Sequence, residues 1–305
     1  MIQQHPVART RRNEMVLDPL RFWFSAARES HRLRDYKPQK VTFSSITKWL
    51  DQFESNDQKK SALFLLSKIK YYSEKDVRSI IVELNENLLR HLTKSNVNYD
   101  HILYVSLDDA GSSSPTLLGM LRDEDGLERK KLLCFSSRDI IGLIDKTNDL
   151  GNGVIVYIDD FAGTGNQFLK SRKFMADNIP LLSRFSEYII LPDICQEAFT
   201  AITKEGIQVW STHIHAKQER QLHPHNTTYP PNTRDELTEF CKRKIDNRGA
   251  LGYKGLASMV VFYRNSPNTL PVLFRGDVGQ KKFIGVLPRT TDLPPIDKST
   301  GKKPF

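Results

Sequence analysis

The chain has 305 residues, of which 39% are hydrophobic and 27% charged, as is typical of a soluble globular protein with one or two domains. Its formal net charge of +9 favours contact with polyanions such as nucleotides, phosphorylated sugars or nucleic acid. No apolar run reaches the roughly 20 residues that a membrane-spanning helix needs, so we expect no membrane contact. The three cysteines are scattered without paired spacing, which argues against a disulfide framework and favours reduced thiols in a cytoplasmic protein.

The first part of the chain is predicted to hold a basic arm followed by helices. Residues 1–40 are polar and basic, and the cluster of Arg9, Arg11 and Arg12 would suit nucleic acid or a ribonucleoprotein as a partner. Over residues 41–97 the apolar side chains recur at helical spacing in three stripes, which predicts a helical subdomain. A helix-turn-helix reader of nucleic acid is an alternative for this part, although nothing in its turns requires one.

From residue 98 onward, short apolar runs alternate with helical segments. The five runs with strand character are residues 102–107, 132–135, 154–158, 188–191 and 207–210. Short buried strands that alternate with helices predict an α/β fold with a mostly parallel, doubly wound sheet. In such sheets ligands bind beyond the carboxyl ends of the strands, so the loops at that edge are the candidates for a functional site.

The loop after the third predicted strand carries the strongest signal. Asp159 and Asp160 follow the strand directly and are the candidate catalytic residues. The candidate phosphate-binding residues come next and lead into a helix: Ala162, Gly163, Thr164, Gly165 and Asn166. Backbone N–H groups at such a strand-to-helix turn bind phosphate, and the helix N-terminus adds a partial positive charge. The two carboxylates would accept hydrogen bonds from sugar hydroxyls or bind Mg²⁺ beside that phosphate.

This arrangement resembles the phosphoribosyl pyrophosphate (PRPP) motif of type I phosphoribosyltransferases, over about residues 98–212. In that family the acidic pair holds the 2′ and 3′ hydroxyls of the ribose, and the loop takes the 5′-phosphate. The resemblance implies a phosphoribosyltransferase-like domain with a C-terminal hood over residues 98–280, a Lys/Pro-rich tail over 281–305, and phosphoribosyl transfer (a glycosyltransferase reaction) if the chain is active. Type I enzymes carry a long lid between their second and third strands, where this chain has only the short stretch 136–153.

The loop after the first predicted strand resembles the pyrophosphate-binding loop of the same family. The resemblance assigns this role to five residues: Asp109, Gly111, Ser112, Ser113 and Ser114. The glycine and the serines offer backbone and hydroxyl donors at a helix N-terminus. Asp108 and Asp109 would hold the water shell of a Mg²⁺ ion. A plain Ser-rich turn is an equally good interpretation of this loop taken alone.

A narrower resemblance connects the chain with bacterial phosphoribosyltransferase-like proteins of antiviral conflict systems, including retron-associated effectors. This resemblance rests on the predicted N-terminal helical subdomain, with Trp49 and Phe53, and on the C-terminal segment 259–271. It implies a defence effector or toxin that acts on nucleotides and binds PRPP or a nucleotide. The alternative is a non-catalytic nucleotide or PRPP sensor, which the short lid favours. For segment 259–271, packing within the fold is an alternative to base recognition.

Four histidines and one aspartate outside these loops have several interpretations; the histidines are His213, His215, His223 and His225. His213 and His215 would lie on one face of a strand, which allows a transition-metal site, although no cysteine or carboxylate joins them at the usual spacing. Contact of these histidines with phosphate or a base is the other interpretation. Asp193 follows the fourth predicted strand and would position a base, act as a general base or cap the next helix.

Overall fold

The computed structural model describes residues 19–107, 113–124, 133–245, 249–276 and 283–290. The α-helices in these ranges are α1 (Pro19–Arg32), α2 (Phe43–Leu50), α3 (Asn56–Lys68), α4 (Glu74–Lys94), α5 (Ser113–Glu124), α6 (Ile140–Leu150), α7 (Asn166–Asn178), α8 (Gln196–Lys204), α9 (Pro231–Lys244) and α10 (Val272–Arg275). The strands are β1 (Lys70–Tyr72), β2 (Ile102–Ser106), β3 (Leu133–Ser136), β4 (Gly153–Ile158), β5 (Phe161–Ala162), β6 (Phe185–Cys195), β7 (Gln208–His215) and β8 (Val260–Phe262). None of the described helices has both the length and the apolar character that crossing a membrane requires.

A parallel sheet forms the centre of the fold. Its strand order is β3-β2-β4-β6-β7, and every neighbouring pair runs parallel. The short strand β5 follows β4 and pairs with the carboxyl end of β6. This architecture confirms the predicted α/β class with a mostly parallel, doubly wound sheet.

Side chains on the two faces of this sheet build two cores. On one face, Tyr104 and Ile158 pack with α4 and α5, and the Tyr104 hydroxyl donates to Asn85 Oδ1 of α4 at 2.6 Å. On the other face, Leu103 and Ile155 pack with α6, α7 and α8. Both faces of β2 and β4 are therefore covered, which explains why these strands are continuous apolar runs in the sequence.

The strand order places a switch point between β2 and β4. The chain leaves β2 towards β3 on one side and leaves β4 towards β6 on the other. Because the two connections diverge, a crevice opens between the carboxyl ends of these neighbouring strands, and ligands bind there in sheets of this type. The loops after β2 and β4 are the two loops that the sequence singles out.

A third core joins the N-terminal helices to the C-terminal part of the chain. Strands β1 and β8 pair in parallel, and the Trp49 indole N–H donates to the Leu273 carbonyl oxygen at 2.8 Å. The same core includes Leu33, directly after α1, and Phe240 of α9. Residues 19–40 of the predicted arm therefore contribute to a core, and the predicted domain boundaries remain predictions.

Candidate functional site

The acidic pair lies where β4 ends. Strands β4 and β5 both pair with β6, and Asp159 and Asp160 form the short break between them. The backbone N–H of Asp159 donates to the Ile190 carbonyl oxygen of β6 at 3.1 Å. The backbone N–H of Asp160 donates to Oδ1 of Asp159 at 2.9 Å. Both residues are half-buried, so the two carboxylates are held at the carboxyl edge of the sheet.

Two serines connect the loop after β2 to this edge. Ser113 Oγ donates to Asp159 Oδ1 at 3.1 Å. Ser114 is fully buried, and its hydroxyl accepts the Leu107 backbone N–H at 2.8 Å and donates to the Ile158 carbonyl oxygen. Ser114 therefore joins the ends of β2 and β4, whereas the Ser113 hydroxyl reaches the acidic pair. The other residues predicted for this loop lie outside the described residues: Asp108, Asp109, Gly111 and Ser112.

The candidate phosphate loop ends at the N-terminus of α7. Gly165 precedes this helix with a φ of 76°, in the left-handed region that favours glycine. The Thr164 hydroxyl accepts the Asn166 backbone N–H at 3.3 Å. Gly163 lies against the C-terminal segment, because a Cβ at this position would come within 2.7 Å of Thr269 Cγ2. The small residues thus let the backbone turn closely at the amino end of a 13-residue helix, a place where anions bind.

The carboxyl group of Asp160 has an unusual pKa. Burial raises this pKa from 3.8 to about 6, while a hydrogen bond with Ser113 and the positive charge of Arg264 limit the rise. A carboxyl group with such a pKa changes its charge close to neutral pH. Perturbed groups of this kind are common at binding and catalytic sites.

A cation from the C-terminal part of the chain reaches the same place. Arg264 lies two residues after β8 and is half-buried, and its guanidinium donates to the Ser113 carbonyl oxygen at 3.5 Å. Sequence reasoning did not identify this residue as part of the site. The only hint in the sequence is that an arginine directly follows the apolar run 259–263. The position of Arg264 at the site is fixed by the pairing of β8 with β1.

Aromatic rings lie beside the acidic pair. The ring of Phe161 lies 6.2 Å from that of Phe262, which stacks on Tyr72 with centroids 5.1 Å apart. Phe262, Tyr72 and the β5 residue Ala162 are buried. Phe161 is half-buried and is therefore the ring of this group that offers surface to a ligand.

A folded helix occupies the stretch between β3 and β4. Helix α6 is capped by Asp139, whose carboxylate accepts the Gly142 backbone N–H at 3.1 Å. Leu143 and Thr147 of this helix are buried. Residues 136–153, all of them described, therefore form a packed helix with short connections and leave no long lid between these two strands.

Asp193 lies inside β6 and is fully buried. Its Oδ2 accepts the Tyr72 hydroxyl at 2.6 Å. The N-cap of α8 is Cys195, which makes no side-chain capping bond. The interpretation of Asp193 as a helix cap is therefore wrong, because the strand continues for two residues beyond it.

Similarity to known proteins extends over most of the chain. The profile of a protein family described as PRTase-CE matches residues 46–289. No curated protein matches the chain. Among solved structures, a hypothetical protein from Neisseria gonorrhoeae with bound ppGpp is 15% identical; the alignment covers 48% of this chain and 85% of that chain, with a TM-score of 0.33. That structural similarity is too low to bear on the fold or the function of this chain.

Proposed function

Because the chain belongs to the PRTase-CE family, a phosphoribosyltransferase-like group, we propose that it binds PRPP or a nucleotide in the crevice between β2 and β4. The observation that carries this proposal is the hydrogen bond between Ser113 and Asp159, since it joins the two candidate loops at one edge of the sheet. A phosphorylated ribose needs donors for its phosphates and acceptors for its hydroxyls. The two loops offer both kinds of group.

Each part of the pocket has a role in this proposal. Asp159 and Asp160 accept hydrogen bonds from the ribose hydroxyls. The backbone N–H groups of residues 163–165 hold the 5′-phosphate at the amino end of α7. Arg264 neutralises a further phosphate group, for which a guanidinium is well suited. Phe161 packs against the base or the sugar.

The oxygen atoms at the acidic pair also suit magnesium. Mg²⁺ prefers oxygen ligands and commonly binds through one or two carboxylates together with the phosphates of a substrate. Asp159 and Asp160 offer such carboxylates, and Asp108 and Asp109 are further candidates from the loop after β2. When bound, the ion would neutralise negative charge on a diphosphate.

Two activities fit this pocket. Our primary proposal is an effector of antiviral defence that acts on nucleotides through an oxocarbenium-like transition state at C1 of the ribose. With PRPP, the C1–O bond breaks, pyrophosphate leaves and a nucleobase nitrogen bonds to C1; in the reverse direction, the C1–N bond of a nucleotide breaks, the base leaves and pyrophosphate bonds to C1. Arg264 and the backbone donors would stabilise the charge of the pyrophosphate in either direction. The alternative is a sensor that binds the ligand without turnover. Helix α6 favours the sensor, because a packed helix lies between β3 and β4, where type I enzymes carry the long lid that excludes water.

A nucleic-acid or ribonucleoprotein partner is a further proposal, and it rests on charge. The net charge of +9 includes the N-terminal cluster of Arg9, Arg11 and Arg12. Such a cluster would bind polyanions in a strongly salt-dependent way. Backbone donors inside the pocket would depend much less on salt.

Product analysis separates the effector from the sensor. The protein would be incubated with Mg²⁺, pyrophosphate and a pool of nucleotides, or with Mg²⁺, PRPP and nucleobases, and the bases and pyrophosphate would be quantified by chromatography. An effector changes the pool, and its Asp159→Ala/Asp160→Ala variant leaves the pool unchanged and is not toxic in cells. A sensor leaves the pool unchanged although the ligand binds. Equal toxicity of the wild type and the double variant would contradict the catalytic proposal.

A further inference from the structure

Three potential metal ligands converge at the edge of the sheet. His213 and His215 of β7 have ring centroids 4.4 Å apart. Glu219 follows in the turn Lys217–Glu219, and its Oε2 lies 2.8 Å from His213 Nε2 and 3.7 Å from His215 Nδ1. One ligand atom from each of the three residues lies within 4.8 Å of the other two. Glu219 is the carboxylate that the sequence spacing did not identify.

A buried arginine holds the turn that carries Glu219. Arg220 is fully buried, and its guanidinium donates to the His215 carbonyl oxygen at 2.6 Å. It also donates to Glu197 Oε2 of α8 at 2.6 Å. These bonds fix the end of β7 and the end of the turn against the same helix. The fold itself therefore places Glu219 beside the histidines.

A second carboxylate orients His215. Asp193 Oδ2 lies 3.1 Å from His215 Nε2, so in the neutral imidazole this nitrogen donates the hydrogen bond and the lone pair is on Nδ1, 3.7 Å from Glu219 Oε2. Metal-binding histidines almost always donate their other N–H to such a partner. Asp193 also contacts Tyr72 and pairs with Lys70 at 3.1 Å, but its Oδ1 has no hydrogen-bond partner among the described residues. A fully buried carboxylate is costly unless positive charge surrounds it, and a metal ion on His215 would add such charge.

We propose that His213, His215 and Glu219 bind one divalent transition-metal ion, with zinc as the best match. Two imidazoles and one carboxylate are a known ligand set of catalytic zinc centres, and tetrahedral bonds of about 2.1 Å separate the ligand atoms by about 3.4 Å. The separations of 2.8 and 3.7 Å lie on either side of this value. The side chains of His213 and Glu219 are 35% and 47% exposed, so the fourth position is open to water or an anion. The centre lies beyond β6 from the crevice, and the inference does not rest on the function proposed above.

The binding of Co²⁺ to this centre can be measured by its absorption, without any enzymatic activity. The full chain would be stripped with a chelator, dialysed and titrated with Co²⁺, which absorbs visible light strongly when it has four ligands in a tetrahedron. Cys134 is exposed, so all proteins in the experiment carry Cys134→Ser to remove binding by its thiolate. We expect one equivalent of Co²⁺ to bind per chain with this absorption, and Zn²⁺ to displace it.

Variants identify the ligands. His213→Asn and Glu219→Gln each remove one half-exposed ligand and should abolish the absorption. Asp193→Asn removes the orienting carboxylate and should weaken Zn²⁺ binding by about 10- to 100-fold. His225→Asn is the matched control, because His225 is an exposed histidine outside the cluster. Thermal unfolding in chelator checks that each variant folds. Binding by Glu219→Gln equal to that of the parent protein, or loss of binding in His225→Asn, would overturn the proposal.

Discussion

Ser113 and Asp159 are 46 residues apart in the sequence, and the Ser113 hydroxyl donates to Asp159 Oδ1 at 3.1 Å. This bond spans the crevice between β2 and β4. The next residue, Ser114, makes its hydrogen bonds inward, to the backbone of both strands. Two adjacent serines therefore have different tasks, one in the pocket and one in the fold.

Replacing each serine by alanine should separate these tasks. Ser113→Ala should weaken binding of a nucleoside monophosphate by about 10- to 100-fold, because it removes the hydrogen bond that orients the Asp159 carboxylate, and a hydrogen bond to a charged group contributes about 1.5–3 kcal/mol. Ser114→Ala should instead lower the free energy of unfolding by about 1–3 kcal/mol, because the buried Leu107 N–H loses its acceptor. Calorimetric titration and denaturant unfolding of both variants check this. The opposite pattern would contradict the assignment.

Ligand binding should depend on the protonation of Asp160. Its pKa is raised from 3.8 to about 6, chiefly by burial, so the folded protein holds a proton at pH 5 that it has released at pH 7. Because the ionised form is the disfavoured one, this group lowers the stability of the ligand-free protein as pH rises from about 4 to about 6. The carboxylate is also the better acceptor for ribose hydroxyls. Affinity without Mg²⁺ should therefore rise by up to about tenfold from pH 5 to pH 7.

The matched variant Asp160→Asn is essential to this measurement. The phosphate of the ligand also titrates near pH 6, and its contribution is the pH dependence that remains in Asp160→Asn. Subtracting the pH profile of the variant from that of the wild type gives the contribution of the Asp160 charge to the affinity. Identical profiles for the wild type and the variant would show that Asp160 does not act on the ligand through its charge.

Removing the cation at the crevice should weaken phosphate binding. Arg264→Gln should reduce affinity for PRPP or a nucleotide by about 10- to 100-fold, since a charged hydrogen bond is lost. It should also raise the pKa of Asp160 further, because the charge of Arg264 lowers that pKa. Arg184→Gln serves as the control, because Arg184 is exposed at the amino end of β6, on the opposite edge of the sheet. Equal affinities of the two variants would exclude Arg264 from the site.

Gly163 should tolerate a methyl group only if its neighbour becomes smaller. Gly163→Ala would place a Cβ 2.7 Å from Thr269 Cγ2, so we expect lower stability, by about 1–3 kcal/mol, and weaker ligand binding. Thr269→Ser removes that methyl group and keeps the hydroxyl that bonds Ser258 at 2.6 Å. The double variant should therefore recover part of both losses, which a double-mutant cycle of unfolding and binding measures. Strictly additive effects would mean that the loop does not pack against this segment.

The sheet and its ligand edge could be predicted because their signals are local. The strands that become β2 and β4 are continuous apolar runs, and the small residues at 162–165 follow β4 closely in the sequence. Strand β6 is longer than the predicted run 188–191 and continues through Pro192, although proline is a typical end of a strand. In the structure Pro192 falls between the residues that pair with β4 and those that pair with β5, so the strand continues to Cys195.

The rest of the site depends on contacts between distant parts of the chain. Arg264 reaches the acidic pair because β8 pairs with β1, and the sequence around it shows no such pairing. Glu219 lies beside His213 and His215 because the buried Arg220 holds the turn that follows β7. Asp193 stays buried because Tyr72, 121 residues away, donates to it. None of these relationships follows from periodicity or from a motif, which describe neighbours along one element.

The binding of PRPP or a nucleotide by the acidic pair is the central claim, and ligand-induced stabilisation tests it most directly. Unfolding of the wild type would be followed with Mg²⁺ and PRPP or a nucleoside monophosphate, beside Asp159→Asn/Asp160→Asn and the control Asp177→Asn, whose carboxylate is exposed on α7. At about a hundredfold excess over Kd, the ligand should stabilise the wild type and the control by about 2.7 kcal/mol and leave the double variant unchanged. An unshifted wild type, or an equal shift in the folded double variant, would contradict it.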